Sequence, residues 1–351
     1  MLSFCIIFFV FQLIVAIYLW FGNKFSNQSI KNNEITKITV LIPFKNEAKR
    51  ILPLLMSINK AAQKHKNTEL LSNFQFIFID DHSIDNTTQL ILNNLDISYQ
   101  IIKLNNTNGK KYAIKRGVEL AKFEKILTLD ADVCFDVNYL DSISKVNCNG
   151  LTILPVNMKG NSFFNKLFSV EFWFLQRLTF GLGGYKKYIL CNGANLLFTK
   201  SIFNTSLSIR TDADIASGDD MFLLNSVLKL KGEISVNNNQ SLMVTTFAPK
   251  SIKTLLHQRI RWFKKSKDIS SLIAASFVLL SNVLLVLSFM LVLKGQLFYV
   301  IPILLKVCSE FISVKGYTKK ILTVVHQFYY PIYLVSVIIS FPILYKSNKW
   351  R

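Results

Sequence analysis

Between residues 38 and 130, short apolar runs alternate with amphipathic segments, and this alternation constrains the fold more than any other feature. The predicted strands are Ile38–Phe44, Phe74–Asp80, Tyr99–Leu104 and a run from Lys125 that ends at Asp130. The predicted helices between them are Glu47–Lys64, Asp85–Leu95 and Lys110–Lys122. Strands joined by helices pair in parallel, so we expect an α/β fold with a mostly parallel, Rossmann-like sheet.

Three of these strands end in polar clusters, where open α/β sheets bind their ligands. The clusters lie at residues 43–47, 80–85 and 130–132. If extended backbone continues past Asp130, then Asp130 and Asp132 point to the same face. Two neighbouring carboxylates need a cation or hydrogen-bond donors, and Mg²⁺ or Mn²⁺ suits oxygen ligands. An Asp-x-Asp taken alone is more often two solvated carboxylates.

The second half of the chain is less regular. We predict one strand over Leu151–Met158 and an aromatic-rich helix over Ser162–Leu178. Further along the chain we predict a strand or turn with a short helix near Ile189–Phe198, and then a helix over Asp219–Lys231. The segment Gly181-Leu-Gly183-Gly184 follows a helix rather than a strand. We therefore interpret it as a flexible connection and not as a dinucleotide-binding loop.

The composition favours a membrane protein. Hydrophobic residues make up 51% of the 351 residues, and the formal net charge is +20. A basic chain favours nucleic acid, an anionic membrane surface or phosphorylated substrates. The long apolar segments favour the membrane, and no zinc-finger spacing or arginine-rich arm indicates nucleic acid. The five cysteines lack a C-x-x-C pair, and the four histidines lack ligand spacing, which fits a reducing, cytosolic-facing domain without zinc.

Apolar segments lie at both ends of the chain. Leu2–Phe21 is long enough to span a bilayer, and the lysines that follow it predict a retained anchor with the next domain in the cytoplasm. Ser251–Lys267 is a basic amphipathic helix that we expect at the membrane surface. The remaining candidate spans are Ile269–Leu293, a weaker Gln296–Val314 in which Lys306 and Glu310 can pair, and Ile321–Tyr345 with two prolines.

Several motifs occur in a fixed order along the chain. They are Asp80-Asp81, Lys110-Lys111, Asp130-Ala-Asp132, Gly218-Asp219-Asp220 and Gln258-Arg-Ile-Arg261-Trp262. In this order the sequence resembles family 2 glycosyltransferases of the GT-A type, specifically the membrane-embedded branch with cellulose synthase, hyaluronan synthase and ceramide glucosyltransferase. The resemblance runs from about Ile38 to Trp262. Each motif alone is weak, and the ordered set is specific.

The resemblance implies four parts. They are an anchor at 1–23, a GT-A glycosyltransferase domain at 36–250, an interfacial helix with the Gln-x-x-Arg-Trp motif at 251–268, and a transmembrane region of two or three helices at 269–345. The implied place of the protein is a bacterial inner or plasma membrane, with the catalytic domain in the cytoplasm.

The resemblance also implies roles on the donor side. The residues expected to bind the base and ribose of a nucleotide-sugar are Pro43, Glu47, Asp80 and Asp81. Lys110 or Lys111 would face the nucleotide or its phosphates. Asp130 would contact the nucleotide and the metal, and Asp132 would bind the metal, Mg²⁺ or Mn²⁺. The alternatives are that Asp81 and Ser83 cap a helix and that the two lysines form a solvated first turn.

On the acceptor side, Asp220 matches the carboxylate that serves the family as catalytic base. Asp219 stands where the family usually has Glu, so which of the two carboxylates serves stays open. The turn that begins at Asn192 resembles the segment that lines the acceptor side. Gln258, Arg261 and Trp262 would bind the diphosphate and the acceptor; the alternative, a basic interfacial helix with a tryptophan at the membrane, is strong for Arg259, Lys264, Lys265 and Lys267.

The expected activity is inverting transfer of a sugar from a nucleotide-diphosphate sugar to a lipid or lipid-linked glycan. The alternatives are a processive polysaccharide synthase subunit, a catalytically silent membrane scaffold that keeps the fold, and a transporter. The intact set of acidic residues disfavours the last two.

Overall fold

The computed structural model describes most of the chain. The described residues are 1–26, 35–66, 69–105, 107, 109–209, 219–265, 269–312, 320–327, 329, 333 and 336, with side chains outside 260–278. Their strands are β1 (Ile38–Phe44), β2 (Phe74–Asp80), β3 (Gln100–Lys103), β4 (Lys125–Leu129), β5 (Cys134–Phe135), β6 (Leu151–Ile153), β7 (Val156–Lys159), β8 (Asn195–Thr199), β9 (Ile234–Val236) and β10 (Val244–Phe247). Their helices are α1 (Leu2–Phe25), α2 (Leu52–Lys64), α3 (Thr87–Asn94), α4 (Lys110–Leu120), α5 (Tyr139–Ser144), α6 (Phe163–Gly183), α7 (Lys200–Leu207), α8 (Asp219–Lys229), α9 (Ile252–Lys265), α10 (Ile269–Leu293) and α11 (Val300–Phe311).

A seven-stranded sheet forms the centre of the fold, in the order β3-β2-β1-β4-β8-β6-β9. The first four strands in this order are parallel, and β8 runs antiparallel to both of its neighbours. The predicted α/β class with a mostly parallel sheet is confirmed. The predicted limits of β1 and β2 are the observed limits.

The central strands are buried on both faces. In β1, Val40 and Ile42 pack on one side of the sheet, while Leu41 packs on the other. In β2, Phe78 and Ile79 divide in the same way. Helices cover both faces, which explains why these strands are continuous apolar runs rather than alternating ones.

The single strand predicted over Leu151–Met158 is wrong. β6 lies in the large sheet, whereas β7 pairs with β10 in a separate three-stranded sheet, β5-β10-β7. Pro155 stands between them, and its carbonyl oxygen accepts from the Asn195 side chain at 2.8 Å and from the Val244 amide at 3.2 Å. The chain changes sheets here without a break in hydrophobicity, so the apolar pattern could not mark the change.

The helix predicted from Glu47 begins only at Leu52. Residues 46–51 form a loop instead, because the amides of residues 46–48 bind the segment between β2 and the first turn of α3. The Glu47 amide donates to the Thr87 hydroxyl at 2.8 Å, and the Ala48 amide donates to Asp85 Oδ2 at 3.0 Å. Pro53 then lies in the first turn of α2, where a missing amide hydrogen costs little.

The flexible connection predicted at residues 181–184 is also wrong, because α6 continues through Gly183. The glycines permit close contact with α1. A Cβ atom on Gly22 would lie 1.9 Å from the Gly181 carbonyl oxygen, and one on Gly184 would lie 2.0 Å from the Gly22 carbonyl oxygen. Small residues at a helix contact bring the two backbones together, and that is their use here.

Helix α1 is long and apolar enough to cross a membrane by length and composition, and residues Leu279–Leu293 of α10 form a shorter apolar stretch. Helix α10 has the predicted limits. The predicted pairing of Lys306 with Glu310 in α11 is confirmed, with an N–O distance of 2.5 Å. Most of the predicted segment Ile321–Tyr345 lies outside the described residues.

Candidate active site

Three loops meet at the carboxyl edge of the sheet because β2, β1 and β4 are neighbours. Pro43 is the penultimate residue of β1, opposite Ile79 of β2. The pairing of β1 with β4 ends at Leu41, so the missing amide hydrogen of Pro43 removes no bond to β4. The polar residues after each strand are thereby brought to one place.

The loops after β1 and β2 are joined by hydrogen bonds. The Asn46 amide donates to the Ser83 hydroxyl at 3.1 Å, and the Ile84 amide donates to Asn46 Oδ1 at 2.9 Å. Asn46 and His82 have positive φ angles of 55° and 61°. Non-glycine residues in this region are uncommon and mark a backbone that its surroundings hold in place.

Asp80 and Asp81 are both buried, but they make different contacts. Asp80 Oδ1 accepts from the Ser83 amide at 2.7 Å. Asp81 faces the Lys45 ammonium at 3.6 Å and the His82 ring at 3.2 Å. The alternative of Asp81 and Ser83 as helix caps is wrong, because Asp85 accepts from the first amide of α3.

The Asp-x-Asp segment does not stay extended. β4 ends at Leu129, and a turn follows, with the Val133 amide donating to the Asp130 carbonyl at 3.4 Å. The two carboxylates take different cations: Asp130 pairs with Lys110, and Asp132 Oδ2 lies 3.0 Å from Arg50 Nη1.

Arg50 bridges two loops. Its Nη2 atom lies 2.5 Å from Glu47 Oε1, while Nη1 contacts Asp132. Burial, with Asp132 and Asp130 nearby, raises the pKa of Glu47 to about 7 although Arg50 opposes the shift. Burial and the neighbouring Asp130 also raise the pKa of Asp132. Negative charge is therefore crowded at this position.

Lys110 connects the turn after β4 to the start of α8. Burial lowers its pKa, but Asp130 first, and then Asp220 and Asp219, outweigh burial and raise it above the usual lysine value. The neighbouring Lys111 ammonium lies 5.2 Å from the Tyr112 ring centre. Lys110 thus faces acidic residues from two separate elements.

Asp220 is held by backbone amides. Gly193 N donates to its Oδ2 at 3.0 Å, and Met221 N donates to its Oδ1 at 2.9 Å. A Cβ on Gly193 would lie 3.4 Å from both Asp220 Cβ and Lys110 Nζ, so this glycine lies beside both side chains. Asn192 opens the turn, with its side chain accepting from the Ala194 amide at 3.0 Å. We call Glu47, Asp130, Asp132, Asp219 and Asp220 the carboxylate cluster.

Helix α9 carries Gln258, Arg261 and Trp262, but the side chains of Arg261 and Trp262 lie outside the described residues, as does Gly218. Gln258 Oε1 accepts from Arg259 at 3.2 Å. Arg259, interpreted from the sequence as part of a basic interfacial helix, is instead buried. Its side chain is only 8% exposed, and its guanidinium lies 2.6 Å from Glu171 of α6.

Sequence reasoning missed two of these residues. Arg50 lies three positions after Glu47, a spacing that can suggest an ion pair, but its contact with Asp132 depends on the fold. Glu171 gave no signal, since one carboxylate in an aromatic-rich helix has no spacing partner.

The chemistry of the cluster suits a hard divalent cation that is completed by a substrate. Among the described side chains, no group of three His, Cys, Asp or Glu residues can hold an ion. Mg²⁺ uses one or two carboxylates and takes its other ligands from water and phosphates. Asp130 and Asp132 meet that requirement. Glu47 Oε2 is buried with no hydrogen-bond partner among the described residues.

Residues 39–192 match the family model described as Glycosyl transferase family 2. Two curated relatives are undecaprenyl-phosphate 4-deoxy-4-formamido-L-arabinose transferases. The one from Aeromonas hydrophila is 33% identical over 107 residues, and the one from Yersinia pestis strain Pestoides F is 35% identical over 105 residues. These matches cover 30% and 29% of this chain, and 31% of each relative.

A solved structure covers nearly the whole chain. The mannosyltransferase PcManGT from Pyrobaculum calidifontis, in complex with GDP-Man and Mn²⁺, is similar over 97% of this chain and 99% of its own, with a TM-score of 0.52 and 12% identity. A likeness at that identity shows the fold. Residues 39–192 therefore belong to glycosyltransferase family 2, on a GT-A fold that extends beyond them.

Proposed function

We propose that the protein is an inverting glycosyltransferase that moves a sugar from a nucleotide-diphosphate sugar to a membrane-lipid acceptor. One observation carries the proposal. The Lys110 ammonium lies among Asp130, Asp219 and Asp220, so the end of β4 and the acceptor-side turn share one charged centre. The names of the curated relatives, which act on undecaprenyl phosphate, support a lipid acceptor.

The loops after β1 and β2 would bind the donor nucleotide. Hydrogen bonds between the two loops hold Asp80 and Asp81 at fixed positions, and Pro43 and Glu47 lie beside them. The carboxylates would accept hydrogen bonds from the base and the ribose. A site whose backbone is already held in place needs little ordering when the donor binds.

Asp132, with Asp130, would hold a divalent cation, Mg²⁺ or Mn²⁺, which when bound neutralises the charge that develops on the departing diphosphate. Lys110 would orient Asp130 and Asp220 through its ammonium. Arg261, on α9, would offer its guanidinium to the diphosphate oxygens. Gln258 and Trp262 would contact the acceptor.

The apolar helices support a membrane arrangement. Residues 1–23 would anchor the chain, residues 36–250 would form the cytoplasmic catalytic domain, and residues 251–268 would lie at the surface of an inner or plasma membrane. Residues 269–345 would complete the transmembrane region. The acceptor would then approach the cluster from the lipid side, past Asn192 and α9.

The first test is release of nucleoside diphosphate by the detergent-purified full chain, given a panel of UDP- and GDP-sugars with and without Mn²⁺. We expect one donor to support Mn²⁺-dependent release and D132N to reduce it about 100-fold or more. D136N is the matched control, because Asp136 is exposed and only holds its own turn, at 3.0 Å from the Asn138 amide. Equal release by D132N and the wild type would remove Asp132 from the chemistry, and no release with any donor would favour the silent scaffold.

The type of lipid acceptor determines what Asp220 does. An acceptor hydroxyl must lose a proton, which Asp220 would take, whereas a lipid phosphate is already ionised and needs no base. The test is to measure the transfer rates of D220N and of the wild type on polyprenyl phosphate and on a hydroxyl lipid. If D220N loses about 100-fold or more of the wild-type transfer rate on the hydroxyl lipid alone, the base role is supported. If D220N loses the same fraction of the rate on both acceptors, the base role is contradicted.

A further inference from the structure

Arg50 has a side chain that is 57% exposed, yet both of its acidic partners are poorly exposed. Glu47 is 15% exposed and Asp132 is 22% exposed. The guanidinium therefore reaches the two carboxylates from the solvent side. A cation in this position can leave without moving the sheet or either loop.

The planar guanidinium fits the gap between the two loops. One terminal nitrogen lies 2.5 Å from Glu47 and the other lies 3.0 Å from Asp132. Two fixed donors on one plane can serve two carboxylates at once, which a lysine ammonium does less well. In this arrangement Arg50 neutralises the same carboxylate that the proposed transfer reaction assigns to a metal ion.

We propose that Arg50 is the cation that holds Asp132 until a divalent metal ion displaces it. The proposal rests on the proposed metal-assisted transfer. When the metal ion binds, it replaces Arg50 as the positive partner of Asp132. The Arg50 guanidinium loses its contact with Asp132 and keeps its contact with Glu47. The exchange prevents Asp132 from being left as a poorly solvated, unpaired carboxylate when no metal is bound.

The test is Mn²⁺ binding by the full chain in detergent without any donor, read from the loss of the free Mn²⁺ signal in electron paramagnetic resonance. R50Q removes the competing cation, and we expect it to bind Mn²⁺ about fivefold more tightly than the wild type. R116Q is the matched control. Arg116 pairs with Glu119 at 3.1 Å with the same i,i+3 spacing, on the exposed face of α4. We expect R116Q to bind like the wild type.

Two more variants separate the possible failures. R50K keeps the positive charge but has a single donor nitrogen, and we expect it to bind Mn²⁺ more tightly than the wild type but less tightly than R50Q; an R50K affinity equal to that of R50Q would show that the positive charge does not compete with the metal ion and would overturn the displacement. D132N should bind Mn²⁺ weakly. If D132N binds like the wild type, the metal assignment in the proposed function fails, whereas a weakened D132N with an unchanged R50Q defeats only the role of Arg50.

The melting temperatures of R50Q and the wild type, measured with and without Mn²⁺, show whether R50Q has a folding defect. Without metal, R50Q leaves two carboxylates without this cation, so its melting temperature should lie below that of the wild type. Mn²⁺ should then raise the melting temperature of R50Q by more than that of the wild type. An equal rise in both proteins contradicts the proposal.

Discussion

Two regions of this molecule, which we call the donor side and the membrane side after their proposed roles, are held together by different interactions. On the donor side, consisting of the loops after β1, β2 and β4, hydrogen bonds and ion pairs join residues that each follow a strand end. On the membrane side, consisting of α1, α6 and α9 to α11, contacts depend on close helix packing and on buried charges. Arg177 Nη2, for instance, donates to the Ala16 carbonyl of α1 at 2.8 Å. Sequence motifs indicate the contacts at the strand ends, but few sequence motifs indicate the contacts between the packed helices.

The difference has a physical origin. The edge of a parallel sheet collects every strand end at one place, so any polar residue just after a strand becomes a neighbour of the others. Packed helices do not bring particular sequence positions together in this way. Whether Glu171 meets Arg259 depends on the position and rotation of both helices, which many weak contacts set together.

The largest effect on the membrane side is expected at the Glu171–Arg259 pair. R259M leaves the Glu171 carboxylate, 16% exposed, without its guanidinium, and we expect the free energy of unfolding to fall by about 3–5 kcal/mol. Thermal unfolding in detergent measures it, and E171Q/R259M should recover much of the loss. R116M, which breaks an exposed pair, should cost less than about 1 kcal/mol. If R259M unfolds like R116M, the membrane side does not depend on its buried charges.

On the donor side the expected effect is a dependence on pH at Glu47. The folded-state pKa is about 7 against an ordinary value of 4.5. Because the folded value is the higher one, the stabilisation from the bound proton is present below about pH 4.5 and is lost as the pH rises through about 7.

E47Q removes this titration, so it should gain stability relative to the wild type between about pH 5 and about pH 8, by at most on the order of 3 kcal/mol. Melting temperatures of the metal-free proteins across this range measure the gain. Parallel pH profiles for the two proteins would show that Glu47 ionises normally.

The smallest effect is expected where α1 meets α6. G22A places a methyl group against the Gly181 carbonyl, and separating the helices should cost about 1–3 kcal/mol of unfolding free energy. I7A is the control, since Ile7 is 68% exposed on the same helix. Turnover per folded molecule should stay unchanged in G22A. A loss of turnover without a loss of stability would show that the two sides are coupled.

Several parts of the fold could be predicted from the sequence. β1 and β2 have the predicted limits because both runs are mostly apolar and polar residues mark where each of them ends. The start of α2 could not be predicted, because the amides of Glu47 and Ala48 bind a loop about forty residues away in sequence. The glycines near residue 181 gave the wrong prediction, since glycine marks a close helix contact as readily as a flexible loop.

By itself, the sequence determined the α/β class, the alternation of strands and helices in the first half of the chain, the apolar ends and the set of acidic residues that follow the strands. Those features depend on local periodicity and on which residue follows each strand. Only the tertiary structure decided that Lys110 faces the carboxylate cluster, that Arg50 reaches Asp132, and that Arg259 is buried against Glu171. Each of these contacts joins side chains from separate elements, and their distances are set by the packing of the whole domain.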